Sequence, residues 1–81
     1  MKQTVLLFAR AGDIAGRDRV EVELPPGARV ADLRVCLLAA IPGLQQFAGT
    51  LFIAVNSSYA GDDMEIPEGA EIACFPPVSG G

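Results

Sequence analysis

The amino-acid sequence predicts an α+β fold in which one main helix packs on one face of a mixed β-sheet. Two short β-type segments open the chain, one stretch with helical periodicity follows, and further β-type segments complete it. A chain of 81 residues builds one hydrophobic core and has little room for a second domain. We therefore expect one domain over residues 1–75 and a flexible tail over residues 76–81.

The first two strands are predicted from β propensity and alternation. Residues 4–9 are apolar on both alternating faces, which is typical of a strand covered on both sides. Residues 20–24 alternate between apolar and acidic side chains, as a strand with one face in solvent does. Between them, residues 11–18 contain Gly12, Gly16 and two aspartates and are predicted to form a polar loop. The two strands should make an opening hairpin.

The main helix is predicted between two turn signals, Pro25-Pro26-Gly27 and Pro42-Gly43. Arg29 stands where a Ser, Thr or Asp cap is preferred, so we expect Asp32 to support the first turn instead. The apolar stripe that recurs at helical spacing consists of Val30, Leu33, Leu37, Leu38 and Ile41.

Three further segments follow the helix. Residues 51–55 are apolar throughout and predict an interior strand. Asn56-Ser57-Ser58 then turns the chain into a brief extended piece around Tyr59. After a second turn at Pro67-Glu68-Gly69, residues 71–75 form the last strand.

The resulting order, ββαβ(β)β, is satisfied most economically by a β-grasp (ubiquitin-like) roll. A ferredoxin-like fold would require a second helix of comparable length, and residues 45–49 are too short to supply one. The fold class therefore leaves one face of the sheet without a covering helix.

Composition excludes several function classes. The net charge is −4, and the chain lacks the clustered Lys and Arg that bind phosphate backbones, so we expect no nucleic-acid partner. The first apolar run is too short to be a signal peptide or to span a membrane, and we expect a cytoplasmic protein without a membrane partner. Cys36 and Cys74 are interpreted as core residues, and without histidine no metal site is expected.

Side-chain catalysis is also disfavoured. The usual general base is missing because the chain contains no histidine. The acidic residues near the C-terminus are interpreted as solvated loop residues, since no apolar surroundings would shift their pKa values. These residues are Asp62, Asp63, Glu65, Glu68 and Glu71.

The tail has a different character. It begins with Pro76-Pro77, which restrict the backbone, continues through Val78 and Ser79, and ends with Gly80-Gly81. Because glycine permits close approach to a backbone, another enzyme could reach the terminal carboxylate without steric hindrance. Directly after a strand of a β-grasp domain, this combination favours a role for the carboxylate of Gly81.

These features resemble the small subunit of molybdopterin synthase, within the ubiquitin-like sulfur carriers. The resemblance covers nearly the whole chain, and its departures are Arg29 in place of a Thr-like cap and Ala70 in place of an acid. The motifs are VLLFA at residues 5–9, VADL at 30–33, AVN at 54–56, GAEIA at 69–73 and FPPVSGG at 75–81.

The resemblance implies that an ATP-dependent activating enzyme adenylates Gly81, which then becomes a thiocarboxylate. Inserted into the large subunit of a heterotetrameric synthase, it would deliver sulfur to a pyranopterin precursor. The large subunit would supply the catalytic side chains. ATP would be used by the activating enzyme, and no cofactor is expected on this chain.

Other functions stay open at this stage. Carriers for thiamin, cysteine or tungsten cofactor pathways share the Gly-Gly end, as do modifiers of ubiquitin type, although the spacer at residues 75–79 favours molybdopterin synthesis. From a different class, a β-grasp interaction module would bind through its sheet and leave its terminus unused.

Partner binding is predicted on the uncovered face of the sheet. If Val5, Leu7 and Ala9 join Ile72 and Cys74 in the core, strand alternation directs Phe8 and Phe75 to the opposite face. Apolar surface left there would mark a binding site. Phe8, Phe75 and Tyr59 are therefore the predicted partner-binding residues.

Overall fold

The structure is a computed structural model, and it describes residues 1–76. The strands form one five-stranded sheet in the order β2-β1-β5-β3-β4. The elements, in chain order, are β1 Lys2–Leu7, α1 Arg10–Ala15, β2 Arg19–Glu23, α2 Val30–Ala40, a 3-10 helix Pro42–Phe47, β3 Phe52–Val55, β4 Ser58–Tyr59 and β5 Ile72–Phe75. Because β1 and β5 are parallel and the other neighbours antiparallel, the sheet is mixed. The predicted α+β class is confirmed.

The hydrophobic core lies between α2 and one face of the sheet. Leu33 and Leu37, from the predicted apolar stripe, have no exposed surface. Burial of an aliphatic side chain of this size stabilises a fold by about 1.5–3 kcal/mol. The strands contribute Val5, Leu7, Val20, Val22, Ile53, Val55, Ile72 and Cys74 to this core.

The segment predicted as a polar loop contains α1, so this prediction was wrong. Ala11 of α1 is completely buried, and a Cβ added at Gly12 would lie only 3.1 Å from the carbonyl oxygen of Leu7. Tertiary packing, rather than helix propensity, thus stabilises this short helix around its glycine. Gly16 ends it with a φ of 71°.

The first strand, predicted over residues 4–9, ends earlier, and the condition that Ala9 joins the core is not met. Ala9 is exposed because β1 ends at Leu7, and it serves as the N-cap of α1 with a φ of 51°. Since a φ of this sign turns the chain out of the sheet, strand alternation stops at Phe8.

The start of α2 is stabilised in two ways. The backbone N–H of Arg29 donates to the Asp32 carboxylate at 2.9 Å, which confirms the predicted support from the first turn. The N–H groups of Val30 and Ala31 donate to the carbonyl oxygens of Met64 and Asp62, at 2.9 and 3.0 Å. A loop that is distant in sequence therefore accepts hydrogen bonds from the first two backbone N–H groups of the helix, which have no partner within it.

The last strand, β5, occupies the centre of the sheet and is anchored at its start. The Gln3 amide nitrogen donates to the Ala70 carbonyl at 3.0 Å, although Gln3 itself is buried. The Asn56 N–H donates to the Glu71 carbonyl at 2.8 Å, and the Asn56 side-chain oxygen accepts from the Glu71 N–H at 2.9 Å. The strand that leads to the tail is thus firmly held.

The turn between β3 and β4 contains two non-glycine residues with positive φ. Val55 pairs with Ser58, and the two residues between them, Asn56 and Ser57, have φ values of 51° and 72°. This is the pattern of a type I′ hairpin turn, in which glycine is preferred at the second central position. Ser57 therefore occupies a glycine position.

We expect Ser57→Gly to raise the free energy of unfolding by about 0.5–1 kcal/mol, because glycine adopts positive φ without a steric cost. Chemical denaturation would measure the change. Ser58→Gly, one residue later in β4, is the control and should lower stability, since glycine weakens a strand. A destabilised Ser57→Gly variant would contradict the assigned turn.

Candidate functional site

The predicted tail lies almost entirely outside the described residues. Pro76 is the last of its residues that the structure describes, and it is buried directly after β5. Pro77, Val78, Ser79, Gly80 and Gly81 lie beyond it. The site can therefore be described from the end of β5 and the surface around it.

The three predicted partner-binding side chains lie together on the uncovered face of the sheet. Phe8 and Phe75 stack with ring centroids 5.0 Å apart and an interplanar angle of 14°. The ring of Tyr59 meets Phe75 edge-on at 6.3 Å. Phe8 is 44% exposed and Tyr59 is 77% exposed, whereas Phe75 is half-buried beneath them.

Phe52 belongs to the same surface, which sequence reasoning missed. It is 50% exposed, it pairs with Phe75 across the sheet, and its ring centroid lies 5.7 Å from that of Tyr59. Because residues 51–55 are all apolar, the sequence does not indicate which of them face outward. We call Phe8, Phe52, Tyr59 and Phe75 the aromatic patch.

A shallow groove of about 360 Å³ lies within this face. Ala54 and Ala73 pair at its centre, and their small side chains leave space between the larger ones. The groove is lined by Leu6, Phe8, Ala54, Ser57, Tyr59, Glu71, Ala73 and Phe75. Exposed apolar surface of this kind is typical of interaction sites, and partner binding at this face stays a prediction.

The aromatic patch lies beside the end of β5, where the predicted tail begins at Pro76. The Phe8 N–H donates to the Cys74 carbonyl at 3.1 Å, which fixes the end of β1 beside the end of β5. Phe75 then places its ring in the patch while Pro76 continues the chain. A partner that covers the patch would therefore also meet the start of the tail.

The side chains near this surface offer little chemistry of their own. In residues 1–76, no group of His, Cys, Asp and Glu is arranged to hold a metal ion. The five acids discussed above are exposed, and Asp62 pairs with Arg34 at 3.1 Å. Over the same residues, no helix combines the length and the apolar character needed to cross a membrane.

The two cysteines differ in accessibility. Cys74 is completely buried, as predicted, and this burial raises the pKa of its thiol to about 11, although Arg34 opposes the shift. Cys36, also predicted in the core, packs against it but is only partly buried, and its sulfur lies 3.7 Å from the Glu23 carbonyl oxygen. Cys74 is therefore a packing residue and not a nucleophile.

The sheet is mixed, one main helix covers one of its faces, and the central strand ends beside an open aromatic face. This is the arrangement of a β-grasp, ubiquitin-like protein. SAMP1 from Haloferax volcanii has this fold, with a TM-score of 0.86 and 29% sequence identity over 100% of both chains.

The chain belongs to the ThiS family, whose model matches residues 5–81. It is 36% identical over 83 residues to the molybdopterin synthase sulfur carrier subunit of Chlamydomonas reinhardtii, with 100% of both chains covered. It is 35% identical to the subunit of the same name from Caenorhabditis briggsae, with 95% of this chain and 94% of the relative covered. The resemblance to the molybdopterin synthase small subunit is confirmed.

We expect an alkylating reagent to modify Cys36 in the folded protein near neutral pH and to leave Cys74 unmodified. Cys74 has no exposed surface and little thiolate. Peptide mass spectrometry would locate the label, and the unfolded protein, in which both thiols should react, is the control. Equal labelling of both cysteines in the native protein would contradict the burial of Cys74.

Proposed function

We propose that this chain is a cytoplasmic sulfur carrier in molybdenum cofactor biosynthesis, and that its working group is the carboxylate of Gly81. The observation that carries the proposal is the full-length similarity to molybdopterin synthase sulfur carrier subunits, together with a family match that extends through residue 81.

The proposed loading takes place in two steps on an activating enzyme that uses ATP. A carboxylate oxygen of Gly81 attacks the α-phosphorus of ATP, and pyrophosphate leaves to give an acyl-adenylate. A hydrosulfide ion, or a donor that supplies sulfur at the same oxidation level, then attacks the carbonyl carbon, and the bond to AMP breaks to leave a thiocarboxylate and AMP. The chain itself supplies only the terminal carboxylate.

Delivery takes place in the large subunit of molybdopterin synthase. The tail brings the thiocarboxylate to a pyranopterin precursor there, and two such deliveries complete the dithiolene of molybdopterin. The two glycines carry no side chains that would obstruct approach to the terminal carbonyl. In this scheme the carrier is a co-substrate, and the large subunit provides the catalytic side chains.

The aromatic patch is the proposed docking surface for both partners. Its exposed rings provide the kind of anchors that dominate the energetics of protein interfaces. Because the patch adjoins Phe75 and Pro76, docking would direct the following residues into the partner. The same surface would serve the activating enzyme and the large subunit in turn.

A second candidate is a protein modifier, which the similarity to SAMP1, the small archaeal modifier protein 1, favours. Here the same acyl-adenylate would be attacked by an amine of another protein, AMP would leave, and an amide would form. The two functions differ in the product at Gly81, which is a thiocarboxylate in one and an amide in the other.

Deletion of Gly81, or addition of one residue after it, should abolish sulfur loading and leave the melting temperature unchanged, because no core residue is altered. Reconstituted molybdopterin synthesis would measure the loss. Cys74→Ala is the matched control: it should lose about 1–2 kcal/mol of stability and still transfer sulfur. Full synthesis by the truncated chain would overturn the proposal.

Phe8→Ala should weaken binding to the large subunit by about 1–3 kcal/mol, as expected for an interface aromatic. The loss of stability should be small because Phe8 is 44% exposed. Phe47→Ala is the control, since Phe47 packs against the core from the 3-10 helix and lies outside the patch. Calorimetry should show reduced affinity only for Phe8→Ala, and unchanged affinity would exclude the patch as the docking surface.

A further inference from the structure

The strand β2 forms one edge of the sheet and leaves part of its backbone unpaired. Its pairing with β1 begins where the Leu7 N–H donates to the Asp18 carbonyl at 2.8 Å. Because every second residue of an antiparallel strand bonds its neighbour, Val20 bonds β1 next, whereas the backbone groups of Arg19 and Glu21 point away from the sheet. Outside this ladder, residues 1–76 provide no backbone partner for Arg19 or Glu21.

The two edges of the sheet differ in how well they are protected. The opposite edge, β4, consists only of Ser58–Tyr59, whereas β2 runs over the five residues Arg19–Glu23. Very short strands, prolines and bulges are the usual means by which proteins prevent pairing between edges. β2 contains neither proline nor glycine, and its register with β1 is unbroken. Of the two edges, β2 is therefore the one to which a further strand can be added.

The charges along this edge have opposite signs on the two sides of its centre. Arg17 and Arg19 precede Val20, and Glu21 and Glu23 follow it at the same spacings. All four charged side chains are exposed. Since an antiparallel partner runs in the reverse direction, a second copy of this strand paired about Val20 would place each arginine opposite a glutamate.

The register decides which charges meet. Outward-pointing residues must face outward-pointing residues, so the second copy can shift only in steps of two. A step in one direction places Glu21 opposite Glu21 of the second copy, and a step in the other places Arg19 opposite its own counterpart. Like charges directly opposite each other destabilise a strand pair. The register centred on Val20 is the one in which Arg19 faces Glu21.

We propose that a second copy of this chain pairs with β2 edge to edge, about a two-fold axis between the two Val20 residues, and joins two five-stranded sheets into one. Arg19 and Glu21 of the second copy exchange two backbone hydrogen bonds, and their side chains form an ion pair. The two-fold axis generates the same contacts a second time. The Arg19 Nε lies 3.6 Å from the Asp18 carboxylate, which leaves the other guanidinium nitrogens available to the glutamate.

The interface is small, so the dimer should be weak and should depend on protein concentration. The Cys36 sulfur already lies 3.7 Å from the Glu23 carbonyl oxygen, and the Arg17 N–H already donates within its own chain. The backbone pairing is thus confined to Arg19 and Glu21. These two residues are the ones whose substitution tests the interface.

The dimer would leave the aromatic patch accessible. β2 and β4 are opposite edges of the sheet, and three of the four patch residues, Phe52, Tyr59 and Phe75, lie on β3, β4 and β5. The second copy would extend the sheet beyond β2 instead of covering its open face. The inference therefore does not depend on the proposed function.

Charge reversal provides the test, and sedimentation equilibrium over about a hundredfold range of protein concentration measures the association. The wild type should form a reversible dimer. Arg19→Glu and Glu21→Arg should each weaken it by at least about tenfold, because each places like charges opposite each other. An equimolar mixture of the two variants should dimerise again, since one has acids at both positions and the other has arginines.

Two matched controls make the same changes in net charge at exposed positions outside β2. Arg10→Glu and Glu68→Arg should dimerise as the wild type does, and the melting temperature verifies that every variant folds. A wild type that stays monomeric throughout, a mixture that fails to associate, or equal weakening by the controls would overturn the inference. Loss of the dimer in Phe8→Ala would assign the association to the aromatic patch and would overturn it as well.

Discussion

The packing of one helix against one face of the sheet is the constraint on which the rest of the structure depends. With 81 residues, the chain forms one long helix, and the apolar stripe of α2 buries the inward side chains of four strands. The opposite face has no comparable cover among residues 1–76. The exposed aromatic surface is therefore a direct consequence of how the core is built.

The central strand joins the core to the proposed site. Ile72 and Cys74 of β5 face α2, while Ala73 and Phe75 alternate onto the open face. Hydrogen bonds from Gln3 and Asn56 anchor the residues just before the strand. Pro76 therefore follows a strand that is held firmly in the sheet. This strand fixes the position of Pro76 relative to any partner docked on the patch.

The sequence was most informative in segments where the apolar residues follow one clear periodicity, helical or alternating. The helical stripe and the strand alternation around Phe8 and Phe75 predicted the main helix, the sheet and the aromatic surface. Phe52 escaped notice because a strand that is apolar throughout conceals which side chains face outward. Cys36 lies beside the apolar stripe of α2 and is only partly buried, and periodicity alone does not define how far such a residue is exposed.

The errors concern places where tertiary contacts override local preference. Gly12 lowers the helix propensity of α1, and the helix forms because Ala11 packs into the core. Glycine suits position 12 because an added Cβ would lie only 3.1 Å from the Leu7 carbonyl oxygen. Ala9 turns out of the sheet through a positive φ that alanine rarely adopts. Neither effect is encoded in hydrophobic periodicity.

The Gly81 carboxylate is the group on which the proposed chemistry acts, and its mass can be followed directly. Intact-mass spectrometry of the full chain after incubation with its activating enzyme, ATP and a sulfur donor should show the exchange of one oxygen atom for one sulfur atom. Fragmentation should locate the change at Gly81. An unchanged mass with an activating enzyme that loads another carrier, or sulfur found on Cys36 or Cys74, would contradict the proposed function.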